Sequence, residues 1–403
     1  MFNKRQLFTT LAAFVGLYLF STGVSYAVFT YLLQPPTLSG LISPQLKEEG
    51  GKPGEEKQIK PLLDTSGPKT EVCPLNGEKF TKNEREVWEK RRPLLVMIEN
   101  HEEARPQSGL SFSDVVYEAV AEGAITRFMG VFYCGAQANE TILGPVRSAR
   151  TYYLDWASEY GGDPLYTHVG GANTPGPADA LGQIEDYGWG GAEGNDLNQF
   201  SIGFPTFWRD YERLGHTVAT EHTMYSTTER LWAVALKRGW TNLSPDGDDW
   251  TKSFVSWQFT DEAKKEKRGD KVEVSYPFWK DYKAYGVKWS YDKENNVYER
   301  FNGGAEHKDL DTDQQLTVKN VIIIAQTESN ANDGYPDNVH LLYGTTGEGK
   351  AWVFQNGEVI TGKWVKRSRL DRTRFYNVSG KEIALVRGKT WISVVPVGTK
   401  INY

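Results

Sequence analysis

The sequence is poor in the residues that build metal sites and covalent cross-links. Its 403 residues include two cysteines and six histidines, and neither a CxxC pair nor an HExxH motif occurs. The histidines are scattered singly along the chain, so the sequence predicts no metal site and no cofactor. A Gly-x-Ser-x-Gly elbow is also missing, which removes the usual signature of an α/β-hydrolase nucleophile.

The chain also lacks a surplus of positive charge. It has 46 Lys and Arg against 52 Asp and Glu, for a net charge of -6. Nucleic-acid binders usually carry a basic surplus, so we expect no nucleic-acid partner. Aromatic residues, in contrast, are plentiful at 13%, which favours large packed cores or flat binding surfaces.

One long segment near the N-terminus lacks charge altogether. Residues 7–33 are uncharged and exceed the roughly 20 residues that cross a bilayer. The basic pair Lys4-Arg5 predicts a cytoplasmic tip over residues 1–6. A cleaved signal peptide is the alternative, because Ser25-Tyr26-Ala27 has the small-x-small pattern of a cleavage site. We expect a retained transmembrane anchor over residues 7–33, since the apolar run continues beyond that pattern.

The residues that follow the anchor predict where the remainder of the chain lies. Residues 34–70 are rich in Pro, Gly, Lys, Glu and Ser, which predicts a disordered, flexible linker. The bulk of the chain is then extracytoplasmic, with the protein held in the cell membrane by a single pass. Cys73 and Cys134 both lie in the exported part, where a lone pair of cysteines usually forms a disulfide. Two buried free thiols are the alternative, and we expect the bridge.

Apolar periodicity predicts two domains of different class. Over residues 71–244, strand patterns at 94–98, 115–120, 127–133 and 165–169 alternate with helical patterns, as in an α/β domain. Over residues 245–403, short β-rich runs are separated by turn signals such as Asn356-Gly357. This second domain is predicted to be mostly β.

Residues 144–151 form the most informative stretch of the first domain. Ser148 is predicted to be the N-cap of an amphipathic helix, which places Arg147 and Arg150 at the helix end where cations are unfavourable. Arg127 begins a nearby predicted strand. Because guanidinium groups suit carboxylate and phosphate, Arg127, Arg147, Ser148 and Arg150 are candidate anion-binding residues. The alternative is a structural ion pair for each arginine, with a carboxylate from among Glu99, Glu118, Glu122 and Asp155.

Three carboxylates recur every four residues, at Asp114, Glu118 and Glu122. On a strand, the even spacing would place all three on one face. Such a row can bind a divalent cation or serve as general acid and base. The favoured interpretation is that the carboxylates are partners for the arginines.

Three of the histidines stand out by position. His168 lies within a predicted strand before two glycines, His101 lies at a strand end, and His222 begins the turn before the second predicted helix. Imidazole can act there as an acid, a base or a ligand, so we keep them as candidate site histidines. A hydrogen-bonded structural histidine is the favoured interpretation for each.

The order of short motifs resembles a known family. The motifs are RRPLLVMIENH (91–101), RPQSGL (105–110), SDVVYE (113–118), ITRF (125–128), GPVRSAR (144–150), HVGG (168–171), HTMY (222–225), NVI (320–322), GEGKA (347–351) and GKTWI (388–392). They are similar to the YerB-like family of bacterial lipoproteins, a domain of unknown function with N- and C-terminal parts. The resemblance implies an extracytoplasmic, membrane-tethered protein. Members of that family carry a cysteine at the signal-peptide junction, and none precedes Cys73, so we expect a transmembrane helix instead of a lipid anchor.

A fainter likeness connects the chain with the LytR-CpsA-Psr phosphotransferases. Ser113-Asp114 and Pro145-Val146-Arg147-Ser148 are similar in kind to that family's metal- and pyrophosphate-holding motifs, but the aspartate after the arginine is missing. Two functions therefore stay open. The leading one is binding of an anionic cell-envelope component, such as a cell-wall polymer, or of an envelope protein. The alternative is an enzyme acting on a phosphate-bearing envelope substrate.

Overall fold

The computed structural model describes residues 62–403. The predicted anchor at 7–33 and the linker up to residue 61 lie outside the described residues. Over 62–403, every helix is too short or too polar to cross a membrane. Residues 62–70, the end of the predicted linker, have no helix or strand, and the N–H of Leu62 donates to the carbonyl of Ala138 at 2.6 Å.

Helices occur in the first part of the described chain. They are α1 (Lys82–Trp88), α2 (Thr151–Ala157), α3 (Ala180–Asp186), α4 (Gln199–Ile202) and α5 (Thr228–Lys237). The strands in this part are β1 (Glu71–Val72), β2 (Lys79–Phe80), β3 (Leu94–Glu99), β4 (Val115–Glu122), β5 (Ile125–Phe132), β6 (Ile142–Leu143), β7 (Leu165–His168), β8 (Asp196–Asn198), β9 (Trp208–Arg209) and β10 (Met224–Thr227).

Beyond α5 the described chain consists of strands, single 3-10 turns and loops, so the predicted mostly-β C-terminal part is confirmed. The strands are β11 (Phe259–Thr260), β12 (Glu273–Tyr276), β13 (Val287–Asp292), β14 (Val297–Asn302), β15 (Ala305–Glu306), β16 (Thr317–Val318), β17 (Asn320–Gln326), β18 (Glu328–Asn330), β19 (Leu341–Tyr343), β20 (Gly347–Gln355), β21 (Glu358–Lys366), β22 (Arg374–Asn377), β23 (Leu385–Val386) and β24 (Thr390–Pro396). Asn356 and Gly357 both have positive φ and form the predicted two-residue turn between β20 and β21.

A ten-stranded sheet joins the two parts of the chain, in the order β22-β21-β20-β17-β24-β4-β5-β3-β7-β8. The last strand, β24, lies parallel to both β17 and β4, and so connects residues on either side of position 244. Because β5 is antiparallel to both β4 and β3, the strands β17, β24, β4, β3, β7 and β8 all point the same way. Their carboxyl ends therefore meet at one edge of the sheet.

Both faces of this sheet are covered, which explains why β3 and β17 are buried along their whole length. Helix α2 packs on one face, where the hydroxyl of Tyr152 donates to the carbonyl of Val120 at 2.6 Å. The other face meets a smaller sheet of β12–β16, whose Arg300 reaches Glu118 on β4.

The predicted helix cap at Ser148 is wrong. Helix α2 begins at Thr151 and its N-cap is Arg150, which makes no side-chain capping bond. The residues before it are extended because neighbouring strands take their backbone groups: the N–H of Arg147 donates to Met97, and the N–H of Ala149 donates to Gly170. Because these backbone groups pair with neighbouring strands and loops, the helix begins later in the chain than predicted, at Thr151.

Helix α5 has a threonine cap at its N-terminus. Thr227 caps α5 by accepting from the N–H of Arg230, while Ser226 belongs to β10 and donates its hydroxyl proton to the carbonyl of Thr206. The predicted disulfide between Cys73 and Cys134 is confirmed. Both cysteines are fully buried.

Candidate functional site

The predicted site arginines and histidines lie at the carboxyl edge of the parallel strands. The stretch from Val146 to Ala149 crosses this edge, forming single bridges from Val146 to Ile98 of β3 and from Ala149 to Gly171 beyond β7. Open α/β sheets bind ligands beyond the carboxyl ends of their strands. The sequence stretch singled out for its arginines thus lies where this fold class offers a crevice.

Two of the three arginines form structural ion pairs with Glu122. Arg127 donates to one oxygen of Glu122 at 2.8 Å, and Arg150 contacts the other oxygen. The Arg127 side chain is only 1% exposed, and it also donates to the carbonyl of Ser148 at 3.0 Å. Burial alone would raise the pKa of Glu122, but the two guanidinium groups hold that pKa well below its ordinary value. These contacts match the pairing alternative offered by the sequence.

Arg147 differs from the other two. Its side chain is 25% exposed, and its Nε contacts Oε2 of Glu99, which is buried. This contact is made at Nε, and a quarter of the side chain remains accessible. Arg147 therefore keeps donors for a ligand at this edge.

Two of the three candidate histidines come together beside Arg147. The rings of His101 and His222 stack with centroids 4.7 Å apart and planes 12° from parallel. His101 caps the 3-10 turn that follows β3, and His222 ends the 3-10 turn that precedes β10. The imidazole of His222 lies between two carboxylates, with Nδ1 3.7 Å from Glu99 Oε2 and Nε2 3.8 Å from Glu103 Oε2.

The electrostatics around His222 favour its neutral imidazole. Burial lowers the pKa of His222, and Glu99 only partly offsets that effect. His101 also accepts a 3.3 Å hydrogen bond at Nδ1 from the N–H of Glu103. An unprotonated imidazole of His222 carries a lone pair that can accept a proton or bind a metal.

His168 does not join the other two histidines. It is fully buried, with Nε2 2.7 Å from Asp196 and Nδ1 2.6 Å from the carbonyl oxygen of Gly170. Both ring nitrogens thus have partners, which supports the structural interpretation that the sequence favoured.

The three spaced carboxylates do not form one row. Asp114 accepts from Asn76, Tyr133 and Gly135, and burial raises its pKa to about 7. Glu118 meets Arg300 on the face covered by the smaller sheet. A register shift between Val120 and Glu122 ends the strict alternation of β4, and Glu122 turns to Arg127 and Arg150 instead. The expected shared face is therefore wrong.

Sequence reasoning missed two members of the site, Glu99 and Glu103. Glu99 entered only as a possible arginine partner, and Glu103 was not considered. The ligand atoms of His101, Glu103 and His222 lie within 4.8 Å of one another. Glu103 is only two residues from His101, so the sequence around His101 could have indicated it. His222 is distant in sequence, and only the fold brings it close.

Comparison with known proteins places the chain in a family. The "Protein of unknown function (DUF3048) N-terminal domain" matches residues 77–241, and the corresponding C-terminal domain matches residues 274–392. The protein named "Putative lipoprotein YerB" from Bacillus subtilis (strain 168) is 32% identical over 326 residues, which cover 80% of this chain and 86% of that protein. The crystal structure of YerB protein from Bacillus subtilis has a TM-score of 0.64 at 26% identity and covers 83% of this chain and 100% of that one. The chain therefore belongs to the DUF3048 family, and the YerB-like resemblance of its motifs is confirmed.

Proposed function

We propose that this chain is an extracytoplasmic, membrane-tethered binding protein that holds an anionic group of a cell-envelope component at Arg147. The name of the Bacillus subtilis relative, a putative lipoprotein, supports membrane tethering outside the cytoplasm. A transmembrane anchor over residues 7–33 in place of a lipid is part of the proposal, since no cysteine precedes Cys73.

One observation carries the choice of site. Of the three predicted arginines, Arg127 and Arg150 share Glu122, whereas Arg147 contacts Glu99 at Nε and keeps a quarter of its side chain exposed. Its planar terminal nitrogens suit the paired oxygens of a phosphate or carboxylate. The stacked imidazoles beside it add further polar groups to the same edge.

The enzyme alternative has less support from the geometry. The phosphotransferase likeness would assign Asp114 to a metal, yet this carboxylate accepts three hydrogen bonds from protein donors in a fully buried position. We therefore propose binding without turnover.

The experiment measures phosphate and a soluble phosphodiester polymer binding to the full-length chain in detergent. Arg147→Ala should weaken binding by roughly tenfold to a hundredfold, because a hydrogen bond to a charged group contributes about 1.5–3 kcal/mol. Arg367→Ala is the matched control, since it removes the same charge from an exposed position. Equal affinities for the two variants, or no anion binding by the wild type, would contradict the proposal.

A further inference from the structure

We propose that His101, Glu103 and His222 bind a divalent metal ion of the zinc class. The fourth position of this ion would receive the anion held by Arg147, and that part of the inference rests on the proposed function. The scattered histidines of the sequence show no metal-site spacing. Folding brings the three side chains together.

The geometry fits a three-ligand site. The three ligand atoms lie within 4.8 Å of one another, and His222 Nε2 is 3.8 Å from Glu103 Oε2. Tetrahedral zinc with bonds of about 2.0–2.2 Å sets its ligands roughly 3.3 Å apart. Glu103 is exposed, so its side chain can move towards the ion. The half-buried His101 ring has to turn out of its stack on His222, because an imidazole binds a metal in the plane of its ring. Two histidines and one carboxylate form a known catalytic zinc set, which leaves the fourth position open.

A second observation points independently to a ligand. His222 Nδ1 is buried and makes no hydrogen bond within the described part of the chain, and Glu99 Oε2 beside it is paired with Arg147. Buried polar atoms are rarely left in this state. The two atoms face each other at 3.7 Å. A histidine that binds metal through one nitrogen typically donates its other N–H to a carboxylate, so a metal on Nε2 would place a proton on Nδ1 for Glu99.

Arg147 supports the carboxylate that faces His222. It contacts the same Glu99 oxygen that faces His222, and thereby holds the carboxylate that would orient the metal-binding imidazole. An anion on the open metal position would lie on the side of the site where Arg147 is exposed.

The experiment uses the full-length chain in detergent, without a polyhistidine tag and stripped with a chelator. Equilibrium dialysis should give one zinc ion per chain, and cobalt should give the visible absorption of a tetrahedral site. His222→Gln and Glu103→Gln should lose this ion, and Glu99→Gln should bind it about 10–100-fold more weakly. Glu102→Gln and His216→Gln are matched controls, because both residues are exposed neighbours in sequence or type and should bind as the wild type does.

Glu103→Gln keeps the proposal falsifiable even if His222→Gln fails to fold, because Glu103 is exposed. Zinc binding that is absent, or unchanged in Glu103→Gln, overturns the inference. Phosphate binding is then measured with zinc-loaded and zinc-stripped protein, and zinc should increase the affinity at least tenfold. If phosphate binds through Arg147 without zinc binding, the metal site is refuted and the proposed function stands. If zinc binds but Arg147→Ala leaves phosphate binding unchanged, the metal site is supported and the proposed function fails.

Discussion

Replacing Arg127 by methionine tests whether the arginines beside Glu122 hold the fold together. Met preserves much of the side-chain volume, so the change removes mainly the charge and its hydrogen bonds. Arg127 donates to Glu122 at 2.8 Å and to the carbonyl of Ser148 at 3.0 Å, from a side chain that is 1% exposed. Removing one partner of a buried ion pair costs about 3–5 kcal/mol. Since Arg150 remains on Glu122, we expect a loss near the lower end, about 3 kcal/mol.

The assay is urea unfolding of the full-length chain in detergent, followed by the fluorescence of its 13 tryptophans. Lys82→Met is the control, because the Lys82–Glu86 pair is exposed and such pairs contribute at most about 1 kcal/mol. The double variant of Arg127→Met with Glu122→Gln should lose less than the sum of the single losses, since the two residues interact. An Arg127→Met midpoint equal to that of Lys82→Met, or a stabilised variant, would refute the structural role of this pair.

The remaining predictions concern pH and the disulfide. His307 donates from Nε2 to Gln107, and burial next to Arg300 lowers its pKa well below the ordinary value. Below about pH 6.5 the unfolded chain takes up a proton that the folded protein refuses, so up to about 1.4 kcal/mol of stability is lost per pH unit. The stability advantage of wild type over His307→Gln should therefore shrink between pH 7 and pH 5, and a constant difference would contradict this. Reducing the disulfide opens a loop with a sequence separation of 61, and should lower the free energy of unfolding by about 4 kcal/mol on the chain-entropy argument. Urea unfolding with and without reductant measures the loss, and unchanged midpoints would contradict it.

Local pattern predicted the elements that local interactions determine. The apolar run at 94–98 became β3, because a continuous buried strand needs only apolar side chains on both faces. The turn at Asn356-Gly357 formed because both residues accept positive φ. The disulfide was predictable because the exported part of the chain is expected in an oxidising compartment and Cys73 has a single candidate partner.

Long-range pairing explains the errors. Ser148 has the chemistry of a helix cap, but the strands at the sheet edge hold the backbone on either side of it extended, and the helix begins at Thr151. In the same way, the insertion of β24 between β17 and β4 has no local signal, although it unites both parts of the chain. The irregularity before Glu122 turned one carboxylate away from its expected face.

The candidate site also depends on long-range contacts that the local sequence does not predict. His101 and His222 each looked structural when considered alone, because no spacing connects them. They meet because the N–H of Val146 donates to the carbonyl of Met224, which fixes the start of β10 beside the stretch that carries Arg147. This contact between distant parts of the sequence creates the site, and a single sequence does not reveal it.

Charge balance connects the two proposals for this site. Arg147 and Glu99 compensate each other, the His222 imidazole is held towards its neutral form, and Glu103 and Glu221 contribute negative charge. A divalent cation on His101, Glu103 and His222 would make the local balance two charges more positive. The metal would then attract the anion that Arg147 alone, already paired with Glu99, holds only weakly. We therefore expect zinc to strengthen the phosphate binding that Arg147 provides.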